Sequence, residues 1–347
     1  MAEQKLRIAI LGCGRISVNH LEAIQSNSDR FKLVAVCDII LEKAMDVAQK
    51  MEVEMYSSFE EMLNQGNIDV VSLCTPSGLH PEQAIMAAQK GVHVISEKPM
   101  ATNLKAANEM IDVCDQFGVK LFVVKQNRLN STLQLVKKTI EKQRFGQIYM
   151  IAVNVFWQRP QSYYDVAPWR GTWEYDGGAF MNQASHYVDM MEWLIGDVDK
   201  VCAMTSTMAR KIEAEDTGSA ILRFKNGAIG NMNVTMLTYP KNLSGSLTIL
   251  GEKGTVIVGG TSVNRIDHWE FSDQAEEDTL ISTVNYSPPS VYGFGHTGYY
   301  KNVADVLLEG AIAETNGKEG RKSLEVILAI YESARKGTEI SLPLIEF

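Results

Sequence analysis

From residue 7 to residue 125 the chain alternates short, unbroken apolar runs with longer stretches whose apolar positions recur at helical spacing. The runs predict strands at 7–11, 32–37, 69–74, 92–96 and 120–125, with a weaker one at 54–56. The periodic stretches predict helices near 16–27, 41–51, 58–65, 80–90 and 102–117. A run such as Leu33-Val34-Ala35-Val36 has no polar face, which suits a parallel sheet covered on both sides. Strands and helices alternating in this way imply right-handed βαβ units and a doubly wound α/β Rossmann sheet.

The pattern changes after Gln126. A helix is predicted near 131–143, then a strand from Ile148 to Trp157, then a long loop rich in aromatic residues, Gly and Pro. A helix follows over about 182–195 and stops at Gly196. From 200 to 285 the signals are strands, and Asn226-Gly227 marks a hairpin. Helices near 299–309 and 321–336 close the chain. This reads as an α+β domain with a large, mostly antiparallel sheet covered by helices on one face. The expected division is 1–126 for dinucleotide binding and 127–347 for substrate binding and oligomerisation, around a shared cleft. Met232, Val234 and Met236 on one side of strand 229–238 are expected to meet a partner subunit of a dimer or tetramer.

Composition narrows the partners. The chain has 347 residues and a formal net charge of −9, which argues against a nucleic-acid partner held by phosphate contacts. Its five cysteines form no CxxC pair and read as reduced core thiols. The opening MAEQKLRIAI leaves no room for a signal peptide, and no apolar run is long enough for a membrane span. A cytoplasmic protein without membrane contact is expected. The six histidines form no HExxH or His/Cys cluster, so no protein-bound metal is expected.

The chemistry sits at the ends of the predicted strands, where ligands bind such sheets. Gly12, Cys13 and Gly14 form a glycine turn between the first strand and first helix, suited to a pyrophosphate at the helix N-terminus. Ser17 stands where a third small residue is usual, and predicts a slightly looser helix–strand contact. Asp38 ends the second strand, placed to take ribose hydroxyls; with no Arg following, NAD is favoured over NADP. Thr75, Pro76, Ser77 and His80 read either as turn and capping chemistry or as a loop touching the cofactor. Lys98 lies between a strand and Pro99, where desolvation and a positive nicotinamide lower the pKa of a general base. Asn182, His186 and Asp189 share one face of the predicted 182–195 helix, with Asp189 able to orient the imidazole. The loop 157–175 holds three of the five tryptophans together with Arg159, Tyr163 and Arg170, a surface that can stack a base or sugar and grip phosphate.

The ordered set GCGRIS, VCD, CTPSGLH, SEKP, KQNR and DGGAF-x-NQASH-x-x-D resembles the Gfo/Idh/MocA family of nicotinamide-dependent sugar oxidoreductases over essentially the whole chain. The stretches around EKPMATNLKAANEM, WRGTWEYDGGAFMNQASHYVDMMEWLIG and NVTMLTYPKN are similar to one branch of it. That branch oxidises C3 of UDP-N-acetyl-2-amino-2-deoxyglucuronate on the route to diacetamido uronic acids of bacterial O-antigen. The resemblance implies Lys98 and His186 as the catalytic pair, with the sugar between the EKP turn and the 182–195 helix. It implies cofactor contacts from Arg15, Ile16, Glu97, Gln126, Trp169 and Arg170, and a cis Lys98–Pro99 bond. Asn182 replaces the family's usual Asp, which suits an anionic acetamido sugar. Arg159, Tyr163, Gln183 and Lys241 are further expected substrate contacts, and 2-oxoglutarate is a candidate acceptor for recycling NADH. Two alternatives stay open: another sugar or inositol dehydrogenase of the same fold, and a non-catalytic NAD-binding sensor.

Overall fold

The computed structural model describes residues 5–287 and 293–345. Its first part runs β1 (Leu6–Leu11), α1 (Ser17–Ser26), β2 (Phe31–Cys37), α2 (Leu41–Met51), β3 (Glu54–Tyr56), α3 (Phe59–Gln65), β4 (Val70–Leu73), α4 (His80–Gln89), β5 (His93–Ser96), α5 (Leu104–Gln116) and β6 (Leu121–Val123). The second continues with α6 (Ser131–Glu141), β7 (Ile148–Phe156), α7 (Gln161–Asp165), α8 (Ser185–Ile195), β8 (Val198–Ser206), β9 (Thr217–Phe224) and β10 (Ile229–Thr235). It ends with β11 (Ser244–Gly251), β12 (Gly254–Gly259), β13 (Arg265–Phe271), α9 (Ile281–Val284), α10 (Gly295–Glu309), α11 (Gly317–Lys336) and β14 (Ile340–Ser341).

Two compact units result: residues up to 125 with 296–321, and 126–295 with 322 onward. The segment 296–321, assigned by sequence to the second domain, therefore belongs to the first unit. One reason is the Val123 amide, which donates to the Thr315 carbonyl at 3.3 Å, while the Thr315 hydroxyl donates back to Val123 O at 2.6 Å.

The first unit holds a parallel six-stranded sheet in the order β3-β2-β1-β4-β5-β6. Strand order reverses between β1 and β4, so the turns after these strands flank the switch point where such sheets bind ligands. All four residues of β4 are buried, as a strand covered on both faces requires.

The second unit holds an eight-stranded sheet in the order β13-β12-β11-β7-β10-β9-β8-β14. Every pairing is antiparallel except β7 with β10. Helix α8 lies close on this sheet over glycines: a Cβ on Gly230 would meet Met191 at 2.8 Å, and one on Gly245 would run into the Tyr187 hydroxyl. Met232, Val234 and Met236 are buried on this sheet. The expectation that they face a partner subunit is corrected; in β10 it is Ile229, Asn231, Asn233 and Thr235 that are left more accessible. Two further differences follow from tertiary contacts. Residues 276–284, read as strand, form helical turns, and α8 starts at Ser185 rather than 182. No helix among the described residues is long and apolar enough to cross a membrane.

Candidate active site

In the first unit the two glycines of the turn after β1 do different work. Gly12 has φ +95°, and a Cβ there would lie 2.8 Å from the Cys74 carbonyl group. Only glycine lets that turn pass the loop after β4. A Cβ on Gly14 would meet no protein atom within 4 Å. Open space beside a backbone glycine at a helix N-terminus fits the close approach of a dinucleotide pyrophosphate. Arg15 and Ile16 follow, the first exposed and the second partly so. The Ser17 hydroxyl donates to the Gly14 carbonyl at 2.6 Å and is buried. It ties the first residue of α1 back to the turn. Asp38 accepts the Cys13 amide at 2.8 Å on one carboxylate oxygen and the Ile40 amide at 2.8 Å on the other.

The loop after β4 is tied to the Lys98 turn through His80. One ring nitrogen of this buried histidine lies 2.9 Å from the Thr75 carbonyl and the other 3.0 Å from that of Pro99. Burial lowers its pKa, against the raising effect of those two carbonyls. Its neighbour Pro76 is part-buried and Ser77 buried. The Thr75 hydroxyl donates to Gln83 at 2.5 Å. The Lys98–Pro99 bond is cis, as the resemblance implies. Lys98 is part-buried, and its amide donates to the carboxylate of buried Glu97 at 3.1 Å. Glu97 in turn meets His20 at 2.9 Å. Among the described residues His20, Glu97 and His296 bring possible ligand atoms within 4.8 Å of one another, but the shortest contact is that of a hydrogen-bonded pair.

In the second unit the aromatic loop is built around stacked cations. The Arg159 guanidinium lies 5.2 Å from the Trp157 ring centre and 5.4 Å from that of Tyr163. Arg170 lies 4.3 Å from Tyr163 and 4.6 Å from Trp169, and donates to the Tyr163 hydroxyl. Two positive groups thus flank one phenol, an arrangement suited to an anionic ligand with a flat ring. Lys241 is exposed.

Residues 176–184 are turns held from outside. Asp176 is buried and accepts the Gly171 amide at 2.7 Å and the Asn182 side-chain amide. The Phe180 amide donates to Glu215 at 2.8 Å, and the Gly178 and Met181 amides donate to the Tyr331 hydroxyl at 3.3 and 3.1 Å. Burial pushes the Glu215 carboxyl up to about 7. Asn182 therefore precedes α8 and does not share its face, which corrects the helical spacing read from sequence. Gln183 is buried. On α8 the His186 Nε2 lies 3.3 Å from the Gln126 amide nitrogen. Which of the two donates depends on the imidazole tautomer. Asp189, expected to orient His186, accepts from Arg128 through both oxygens at 2.7 and 2.8 Å, a buried bidentate pair.

Sequence reasoning missed His20, Arg128, Glu215 and Tyr331. His20 sits one turn into α1, on the face that packs against the sheet. That periodicity could have found it; the others are brought in from distant elements.

A doubly wound sheet with a glycine turn, an acid after β2 and a lysine after β5 defines a nicotinamide-dinucleotide-dependent oxidoreductase. Comparison with known proteins gives the family. Residues 6–125 match the oxidoreductase family's NAD-binding Rossmann fold, and 137–342 match its C-terminal alpha/beta domain. The chain belongs to this Gfo/Idh/MocA oxidoreductase family. It is similar to the WlbA dehydrogenase of Bordetella pertussis, solved with NADH and UDP-GlcNAcA: 57% identity, TM-score 0.97, covering 99% of this chain and 100% of that one. The Chromobacterium violaceum WlbA dehydrogenase, solved with the same two ligands, is 52% identical with a TM-score of 0.95, over 99% of this chain and 98% of that one. A more distant relative is myo-inositol 2-dehydrogenase of Thermotoga maritima, 26% identical over 80% of this chain and 78% of that protein.

Proposed function

We propose that this cytoplasmic protein oxidises the C3 hydroxyl of UDP-N-acetyl-2-amino-2-deoxyglucuronate (UDP-GlcNAcA) to a ketone, with NAD as oxidant. The observation that carries the reading is the match, over nearly the full length, to two dehydrogenases solved with NADH and UDP-GlcNAcA. The cofactor, when bound, takes up the hydride from C3. The chain's own residues handle the proton and the positioning. Lys98 or His186 receives the hydroxyl proton, and the other polarises the oxygen as the ketone forms. Asp38 holds the adenosine ribose, and the glycine turn with Arg15 and Ile16 takes the pyrophosphate. Arg159, Tyr163, Trp169 and Arg170 grip the anionic, ring-bearing end of the ligands, with Asn182, Gln183 and Lys241 contributing to substrate.

On the resemblance, the product feeds synthesis of diacetamido uronic acids of bacterial O-antigen; 2-oxoglutarate is the candidate acceptor for recycling the NADH. We assign dimer or tetramer contacts to the outward face of β8–β10, where Cys202, Met204, Ile221 and Ile229 are exposed.

The test is to incubate purified protein with NAD and UDP-GlcNAcA, with and without 2-oxoglutarate, and weigh the sugar product. A product lighter by H2 supports the reading, and more of it with 2-oxoglutarate supports recycling. An unchanged sugar from protein that binds NAD overturns it. Lys98→Ala and His186→Ala should lose turnover while NAD affinity stays nearly intact.

A further inference from the structure

The buried side of the Glu97 turn takes part in none of the steps above. Five polar side chains meet there in the first unit, all buried: His20 from α1, Ser72 from β4, Glu97 after β5, and His296 and Tyr300 from α10. His20 Nε2 lies 2.9 Å from Glu97 Oε1. Its Nδ1 faces the Tyr300 hydroxyl at 2.7 Å and the Ser72 hydroxyl at 2.9 Å. The other Glu97 oxygen accepts the Lys98 amide at 3.1 Å. His296 Nε2 stands 3.8 Å from Glu97 Oε1 and has no hydrogen-bond partner among the described residues.

A carboxylate in such a core is costly unless it is paired and hydrogen-bonded. Burial acts against a charge on His20; Cys74, Tyr300 and Glu97 outweigh it and hold the imidazole well above its ordinary pKa. Tyr300 is itself pushed up by burial and stays a neutral phenol; Glu97, the carboxylate of this cluster at 2.9 Å from Nε2, is the anion we hold responsible. Burial likewise acts against the Glu97 charge, and the hydrogen bond from His20 holds its carboxyl well below the usual range. His296 is lowered, chiefly by burial, and stays neutral. One cation therefore faces one anion, and that anion is one residue from Lys98.

The geometry points to His20 as a positioning residue for Lys98, acting through its hydrogen bond to Glu97. Two hydrogen bonds, His20 to Glu97 and Glu97 to the Lys98 amide, connect α1 to the turn that carries the amine. Helix α1 is also the helix that opens after the glycine turn. A side chain on it thus sets where Lys98 stands relative to the dinucleotide end of the same unit. His80 holds the other side of the turn through the Pro99 carbonyl. The proposal rests on the reading of Lys98 as a proton-transfer group.

The experiment compares His20→Leu, His20→Asn and His20→Gln in the wild-type and Lys98→Ala backgrounds, by single-turnover NADH formation and by KM for NAD. Leu has no donor. Asn reaches only the Nδ1 position, towards Tyr300 and Ser72. Gln places an N–H where Nε2 stood. The expected result is a loss of roughly 10- to 100-fold in kcat for Leu and Asn, as misplacement of a reacting group by about 1 Å gives. KM for NAD changes little, Gln recovers most of the rate, and the Leu loss vanishes in the Lys98→Ala background. A Leu loss that adds in full to that of Lys98→Ala overturns the proposal, as does a Gln variant no better than Leu. So does failure of Leu and Asn to fold while Gln folds, which makes His20 a stability residue. Wild-type turnover in Lys98→Ala sinks the Lys98 reading itself. A dead Lys98→Ala with full turnover in His20→Leu sinks only the present proposal.

Discussion

Asp38 accepts the backbone amide of Cys13 at 2.8 Å, so the acid just after β2 also ties down the glycine turn that follows β1. Its second oxygen is held by the Ile40 amide. The residue assigned to the ribose is thus already part of the turn it serves. Asp38→Ala should weaken NAD binding by roughly 10- to 100-fold, since a hydrogen bond to a charged group contributes about 1.5–3 kcal/mol. Asp38→Arg should gain little NADP affinity, because a guanidinium cannot accept either amide. Titration of NADH fluorescence checks both; unchanged NAD affinity in Asp38→Ala would remove the acid from the site.

The glycines of the same turn separate folding from binding. Gly12→Ala forces a side chain onto the Cys74 carbonyl group, 2.8 Å away, at φ +95°. It should destabilise the protein by about 1–3 kcal/mol through strain alone. Gly14→Val places its Cβ where no protein atom lies within 4 Å, so its unfolding midpoint should stay near wild type. Its NAD affinity should nevertheless fall, because the added methyls occupy the space left for the cofactor. Urea titration paired with NAD binding measures both. Wild-type NAD affinity in Gly14→Val would place the pyrophosphate elsewhere.

The parallel sheet was legible because its strands are continuous apolar runs, and the 226–227 hairpin because Asn-Gly accepts the positive φ seen at Gly227. The Lys98 turn was legible through the Glu-Lys-Pro string. The stretch 177–184 was not. Its amides are taken by Glu215 and Tyr331, residues far along the chain, and that prevents the helix that Asn182 and His186 suggest by spacing. The Met232–Met236 stripe marked a buried face correctly but could not say what buries it. Strand alternation fixes which residues share a side; only the assembled unit shows which side the helices cover.

The Arg128–Asp189 pair predicts a large and asymmetric stability effect. Both carboxylate oxygens are engaged and both residues are buried. Asp189→Ala removes the bidentate counter-charge from a buried guanidinium and should cost about 3–5 kcal/mol. Replacing both, Arg128→Met with Asp189→Leu, should recover most of that loss, because the desolvation of two charges disappears together. A double variant as unstable as the single one in urea unfolding would mean the pair does more than neutralise itself.

Glu215 gives a pH dependence whose sign follows from its surroundings. One carboxylate oxygen accepts from the Phe180 amide and the Tyr331 hydroxyl, while the other is buried without a hydrogen-bond partner. Burial raises the folded carboxyl to about 7 from an ordinary 4.5. Between those values the folded state keeps a proton that the unfolded chain has released. This group's stabilisation is therefore complete below about pH 4.5, declines as pH rises, and is gone above about pH 7. The whole effect is on the order of 3 kcal/mol. Glu215→Gln keeps the shape and cannot ionise, so its stability should lack this decline while every other titrating group is unchanged. The measurement is the difference in urea unfolding free energy between wild type and variant at about pH 5 and about pH 8. A difference that stays constant would mean Glu215 is already ionised in the fold at the lower pH. If it grows as predicted, the same carboxyl that holds the Phe180 amide also sets how firmly the turn before Asn182 and Gln183 is held, and substrate KM in the wild type should rise over the same pH interval while that of Glu215→Gln does not.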